Sequence, residues 1–204
     1  LATHLGLEET QVRVVCRDVG GSFGIKVHIY ADEMATAGLS RMLGRPVKFV
    51  ADRSESFVTD IHARDHLVDG RMAVDADGRI TAIEIDDLTG VGPYSMYPRT
   101  SAVEANQVVN LVGGPYCFGA YRARARVAYQ TKTVTSQYRA VGHPIAAAVT
   151  EGLVDLAARA AGLDTVEIRR RNLIPDDAYP TTGPTGLVFE GLSHHACLDR
   201  LLAI

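Results

Sequence analysis

The stretch Gly20-Gly21-Ser22-Phe23-Gly24-Ile25-Lys26 places three glycines within five positions. An alternating run from Gln11 to Arg17 precedes it and predicts a strand, and the run from Val27 to Leu43 that follows predicts a helix. Glycines between a strand and a helix let backbone N–H groups approach an anionic ligand at the helix N-terminus. The same spacing is compatible with a tight strand-to-helix turn that binds nothing, and the spacing alone does not separate these two interpretations.

Two common phosphate-binding loops are excluded by the positions of these residues. The dinucleotide fingerprint Gly-x-Gly-x-x-Gly requires a glycine two positions before Gly21, where the sequence has Val19. The P-loop requires Gly-Lys-Ser/Thr, but Ile25 separates Gly24 from its lysine. The stretch is therefore a glycine-rich loop of another kind.

The composition is that of a folded protein without an unusual bias. The 204 residues are 47% hydrophobic and 22% charged, enough for one substantial core or two small ones. The net charge of −3 argues against non-specific nucleic-acid binding. No apolar run approaches the length of a membrane span and no basic-then-apolar start predicts a signal peptide, so neither nucleic acid nor a membrane is expected as a partner. Three widely spaced cysteines predict no disulfide framework or local metal site, so we expect a cytoplasmic protein.

The remaining patterns predict an α+β fold, with a mixed sheet containing hairpins and with helices toward the C-terminus. Strands are expected at 47–50, 66–74, 79–85 and 121–129, the second and third joined by a hairpin turn at 75–78. Helices are expected after Asp52, at 101–109, from Pro144 to Gly162, from Asp164 to Asn172 and after Ser193. We treat 1–204 as one region, mainly sheet with both loops over 1–143 and helical over 144–204. Helical patterns at both ends suggest a piece of a larger protein.

No catalytic residue or metal site can be chosen from residue chemistry alone. His62 and His66 have the four-residue spacing of a helical zinc motif, but the glutamate of that motif is missing and a strand pattern follows. Asp86 and Asp87 are adjacent in a predicted strand, so their side chains point to opposite faces. There is also no Gly-x-Ser-x-Gly nucleophile motif.

A second polar turn extends from Thr131 to Pro144 and leads into the N-terminus of a predicted helix, with Arg139 at its mouth. Two such turns, each following a strand, would approach a single ligand from two sides. The residues by themselves predict a partly anionic cofactor and do not identify it.

Gly20 to Lys26 resembles the Gly-Gly-x-Phe-Gly-x-Lys loop of the molybdenum hydroxylases: xanthine dehydrogenase, aldehyde oxidase and the large subunit of aerobic carbon monoxide dehydrogenase. The resemblance continues over nearly the whole chain and in the same order. It includes the segments 44–48, 52–55, 77–80, 129–144 and 155–173.

The resemblance implies the molybdopterin-binding domain of the large subunit. It assigns cofactor contacts to Gly20, Gly21, Ser22, Phe23, Gly24, Arg139 and Ala140, and a substrate-facing position to Val141. The implied cofactor is molybdenum on molybdopterin cytosine dinucleotide. The implied partners are an iron–sulfur small subunit and an FAD-binding medium subunit, which accept electrons after hydroxylation of a small-molecule heterocycle or aldehyde with water.

Several departures from the family pattern leave the substrate class open. Ala140 stands where the copper-containing carbon monoxide dehydrogenases carry cysteine, so copper-dependent CO oxidation is not expected. Ile145 stands where many members of the family carry glutamate. The family's catalytic base lies in a downstream half that these residues do not include, so the 204 residues alone are expected to be inactive. Two alternatives stay open: a non-catalytic assembly scaffold or degenerate copy that binds no cofactor alone, and, more distantly, a nucleotide-binding domain.

Overall fold

The computed structural model describes residues 1–204 and shows seven α-helices and five strands. The helices are α1 (Ala2–Leu5), α2 (Ala31–Leu43), α3 (Arg53–Thr59), α4 (Val103–Leu111), α5 (His143–Ala161), α6 (Thr165–Asn172) and α7 (His194–Leu202). The strands are β1 (His66–Val74), β2 (Ile80–Gly90), β3 (Ala120–Ala128), β4 (Thr181–Thr182) and β5 (Val188–Phe189).

The main sheet is mixed and has the order β1-β2-β3. The β1 and β2 strands form the expected antiparallel hairpin, whereas β3 runs parallel to β2 and is reached through α4. Along β2, Ile83 and Ile85 are buried and Glu84 lies on the opposite, wetter face, as the alternation predicted. The predicted α+β fold with a mixed sheet is therefore confirmed.

One hydrophobic core lies between the sheet and the helices α4, α5 and α6. Ile83 and Ile85 from β2 meet Val108 from α4 and Val154 from α5, and Ile168 from α6 closes the cluster. The buried face of α5 repeats at helical spacing and consists of Ala146, Thr150, Leu153, Val154, Ala157 and Ala158. Gly162 ends that helix in a left-handed conformation. The core fixes α4 and α5, the two helices that border the second polar turn.

Two strand predictions are wrong. Residues 11–17 and 47–50 form no strand, although Val12 has extended backbone angles (φ −115°, ψ 126°). Alternation predicts an extended backbone, but a strand also needs a neighbouring backbone to pair with, and these segments have none within the chain. Their apolar side chains remain exposed, with Val14 at 74% and Val50 at 70%.

The helix predicted from Val27 begins later than expected. A single 3₁₀ turn occupies Ile25–Val27, His28 is extended, and the α-helix starts at Ala31 with the Glu33 carboxylate accepting a hydrogen bond from the Tyr30 N–H (3.0 Å). The first glycine loop therefore does not lead directly into an α-helix N-terminus, whereas the second polar turn does, through Gly142. None of the helices combines the length and apolar character needed to cross a membrane.

Candidate cofactor site

The two polar turns predicted from the sequence are in direct contact. We call Gly20–Gly24 the first loop and Tyr138–Val141 the second loop. The Arg139 backbone N–H donates to the Phe23 carbonyl (2.8 Å), and the Arg139 guanidinium carbon lies 5.7 Å from the centre of the Phe23 ring. Residues more than 100 positions apart in the sequence are thus joined at one site.

Backbone strain is concentrated at this contact. The only non-glycine residues of the chain with positive φ are Phe23 (52°), Arg64 (65°), Ala140 (67°) and Val141 (48°). A left-handed conformation is costly for any residue with a Cβ, and most of all for a β-branched one such as Val141. Strained residues that collect in one place, held by their surroundings, are typical of functional sites.

Two glycines allow the backbones to approach each other here. At Gly24 (φ 96°), an added Cβ would lie 3.1 Å from the Gln137 carbonyl oxygen, just before the second loop. At Gly142, an added Cβ would lie 2.7 Å from the Glu104 carbonyl oxygen and 2.8 Å from the Val108 nitrogen, both on α4. Glycine at the first position lets the two loops meet, and glycine at the second lets the start of α5 rest against α4.

The site offers backbone N–H groups that have no acceptor within the chain, and positive charge that no carboxylate neutralises. None of the backbone N–H groups from Gly20 to Gly24 donates a hydrogen bond within the chain, and neither does that of Ala140. No carboxylate lies within ion-pair distance of Arg139 or Arg64. Free N–H groups and the exposed Arg139 guanidinium, which pairs with no carboxylate, fit an anionic or acceptor-rich ligand.

The predicted site residues are placed as follows. Gly20, Gly21, Phe23, Arg139 and Ala140 are exposed, and Ser22, Gly24 and Val141 are half-buried. Gly20 has no special role in the geometry, because a Cβ there would meet nothing within 4 Å and its φ is not positive. The structure brings Phe23, Gly24 and the second loop together, and leaves Gly20 at the outer end of the first loop.

Arg64 belongs to the same site and was missed by the sequence analysis. Its guanidinium donates from Nε to the Val141 carbonyl (3.2 Å) and from Nη2 to the carbonyls of Tyr138 (3.3 Å) and Arg139. The guanidinium carbon also lies 5.7 Å from the centre of the Tyr138 ring. No local pattern predicts these contacts, because the partners are 74 to 77 residues away.

A buried ionic cluster supports α4 behind the site. His66 Nδ1 lies 2.9 Å from Asp87 Oδ1, and His66 Nε2 lies 3.0 Å from Glu104 Oε1. All three side chains are at most 2% exposed. Burial alone would lower the pKa of His66, but hydrogen bonds and charge from the two carboxylates outweigh it and raise the pKa to about 9. The cluster is therefore a protonated histidine between two carboxylates, and it fixes α4 to the sheet.

The other sequence candidates have structural partners. His62 is exposed and its Nε2 lies 3.1 Å from the Phe57 carbonyl. It does not contact Asp87 or Glu104, the carboxylates that bond His66. Asp86 and Asp87 do lie on opposite faces of β2, since Asp86 pairs with Arg126 on β3 while Asp87 is buried. No group of three or more His, Cys, Asp or Glu side chains is arranged to hold a metal ion.

Two large cavities of the structure do not coincide with the two loops. Cavities of about 630 and 710 Å³ are both lined by Ile29 and Met34, and they include no residue of either loop. A smaller one of about 330 Å³ borders the site and is lined by Ile25, His62 and Tyr138 among others. The two loops form an open face rather than an enclosed pocket, which is the reason that cavity volume does not locate them.

Comparison with known proteins gives one consistent picture. The model of the family "Molybdopterin cofactor-binding domain" matches residues 1–173. The large subunit of nicotine 6-hydroxylase from Paenarthrobacter nicotinovorans is 34% identical over 202 residues, which are 98% of this chain and 24% of that protein.

Two solved structures have the same fold. Quinoline 2-oxidoreductase from Pseudomonas putida 86 superimposes with a TM-score of 0.83 at 34% identity, covering 91% of this chain and 24% of that one. Aldehyde oxidoreductase from Desulfovibrio gigas gives a TM-score of 0.88 at 25% identity, covering 99% and 22%. This chain thus spans about a quarter of the length of each of these relatives. The resemblance read from the glycine loop is confirmed, and the chain belongs to the molybdopterin cofactor-binding domain family of the molybdenum hydroxylases.

Proposed function

We propose that this chain is part of the large subunit of a molybdenum hydroxylase and that its two loops jointly bind the molybdopterin cofactor. The observation that carries the proposal is the Arg139–Phe23 hydrogen bond (2.8 Å), formed between two loops that each contain residues with positive φ. Membership of the cofactor-binding family supports the assignment of a ligand to this contact.

The residues present fit such a cofactor. The unbonded N–H groups of Gly20, Gly21, Ser22, Phe23 and Gly24 would donate to its acceptor atoms from one side. Arg139 and Ala140 would approach from the other side, with the Arg139 guanidinium supplying charge to anionic groups. We infer the cytosine dinucleotide form, whose phosphates suit these donors. When bound, the cofactor supplies the redox chemistry that places an oxygen atom from water on a carbon of the substrate.

We further propose a heterocycle as substrate, with an aldehyde as the second candidate. Two relatives at 34% identity have names that refer to nicotine and quinoline, both nitrogen heterocycles, whereas the aldehyde oxidoreductase is 25% identical. Val141 would face the substrate with a side chain smaller than an aromatic one. The overall reaction converts C–H and water into C–OH with release of two electrons and two protons. The electrons would pass to an iron–sulfur small subunit and an FAD-binding medium subunit in the cytoplasm.

The test is hydroxylation by the full-length protein purified with its partner chains from cells grown with molybdate. Quinoline, nicotine and benzaldehyde are offered in ¹⁸O-labelled water with a dye as electron acceptor. We expect labelled oxygen in a heterocyclic product. Labelled carboxylate from benzaldehyde alone would favour the aldehyde candidate. Absence of both turnover and molybdenum in the assembled protein would contradict the proposal and leave the assembly scaffold or degenerate copy as the alternative.

A further inference from the structure

The backbone on both sides of Arg64 is fixed by hydrogen bonds. His62 pairs with the segment preceding that loop, because the His62 N–H donates to the Val134 carbonyl (2.8 Å) and the His62 carbonyl accepts from the Ser136 N–H (3.0 Å). On the other side of Arg64, the Asp65 carbonyl accepts from the Gly90 N–H (2.9 Å) at the end of β2. The backbone of residue 64 is thus fixed between the sheet and the second loop.

The contacts of Arg64 cover most of the carbonyls of that loop. Its guanidinium donates to the carbonyls of Tyr138, Arg139 and Val141, and the fourth carbonyl, that of Ala140, accepts from the His143 N–H (2.9 Å). A planar guanidinium has several donors in a fixed arrangement and can reach three acceptors at once, which an ammonium group at the same site cannot reproduce.

The loop needs such support because it is strained. Ala140 and Val141 both have positive φ, and only one backbone hydrogen bond closes the turn, from the Val141 N–H to the Tyr138 carbonyl (2.8 Å). Arg64 itself has a φ of 65°, so the chain maintains a third unfavourable conformation at the point from which the side chain reaches the loop. No carboxylate neutralises Arg64, so carbonyl oxygens are the groups that compensate its charge.

We propose that Arg64 is a positioning residue of the candidate cofactor site: its guanidinium holds Tyr138–Val141 in the strained conformation that brings Arg139 against Phe23. The effect on cofactor binding rests on the proposed function. The effect on the conformation of the second loop does not rest on it, and the two are therefore measured separately.

Two substitutions separate the contributions of residue 64. Arg64→Gly tolerates the positive φ and removes the guanidinium, so it tests the side chain without adding backbone strain. Arg64→Lys keeps the charge and loses the planar arrangement of donors. Arg122→Lys is the matched control, because Arg122 is 77% exposed and pairs only with Glu84 on the far side of the sheet.

The variants are made in the full-length protein and compared by hydrogen–deuterium exchange in the cofactor-free form and by molybdenum content after assembly. We expect peptides spanning 138–141 to exchange at least fivefold faster in Arg64→Gly, with the β1–β2 hairpin unchanged, and molybdenum content to fall. Arg64→Lys should also show faster exchange at 138–141 and reduced molybdenum content. Arg122→Lys should match wild type in both measurements.

Three outcomes would overturn the proposal. The first is wild-type exchange at 138–141 in Arg64→Gly, and the second is faster exchange there with full molybdenum content. The third is complete rescue by Arg64→Lys, which would show that charge alone suffices. If the wild-type protein contains no molybdenum, the proposed function fails, while the exchange measurement still decides whether Arg64 holds the loop.

Discussion

Replacement of Gly24 by alanine tests whether close approach of the two loops defines the site. Gly24 has a φ of 96°, and an added Cβ would lie 3.1 Å from the Gln137 carbonyl oxygen. Such a conformation costs an L-residue about 1–3 kcal/mol, and the backbone oxygen cannot move away without disturbing the second loop. An energy of that size corresponds to a change of about 5- to 150-fold in the equilibrium between closed and open loops.

The assay is hydrogen–deuterium exchange of peptides containing Arg139, whose N–H donates to the Phe23 carbonyl. We expect Gly24→Ala to accelerate exchange there by the factor given above and to reduce molybdenum retained during a graded guanidinium treatment. Gly191→Ala is the control, because a Cβ at that position meets nothing within 4 Å and the residue belongs to neither loop. Equal exchange and equal molybdenum retention in the two variants would refute the reasoning.

Two further predictions concern buried polar side chains that join helices to the sheet. The pKa of His66 is raised from 6.5 to about 9, so its cluster contributes stability on the order of 3 kcal/mol that is complete below pH 6.5 and is lost as the pH rises through about 9. Urea unfolding of wild type should show this decline and His66→Gln should not; a pH-independent wild type would contradict it. Asn172 is 2% exposed and bonds the Ile80 N–H and the Gly78 and Ile168 carbonyls, each at 2.8 Å. Asn172→Ala should therefore lower the free energy of unfolding by about 3 kcal/mol. Asn106→Ala, at an exposed position, is the control. If the two variants lose the same stability, the bonds of Asn172 contribute little.

The parts of the fold that follow from local signals could be predicted. The β1–β2 hairpin has its turn residues at 75–78, and α6 is capped by the Asp164 carboxylate, which accepts from the Val166 N–H (2.8 Å) and the Glu167 N–H (3.1 Å). In both cases the residues that determine the structure lie within a few positions of each other. Strand pairing does not have this property, and the segments 11–17 and 47–50 were predicted wrongly because alternation does not supply a partner.

The two loops could be located from their glycines and polar residues, but the contacts that hold them could not. Arg64 reaches carbonyls 74 to 77 residues away, and His66 meets carboxylates 21 and 38 residues away. In the sequence, both residues belong to a segment that suggested only an incomplete metal motif. Their roles depend on which elements the fold places side by side, and a single sequence carries no signal for that.

The most direct test of the central proposal is an experimental structure of the full-length protein loaded with its cofactor. We expect acceptor atoms of the molybdopterin within about 3 Å of backbone N–H groups between Gly20 and Gly24, with the Arg139 guanidinium on the opposite side. A cofactor bound in contact with neither the first nor the second loop would contradict the assignment, and both loops would then be structural turns.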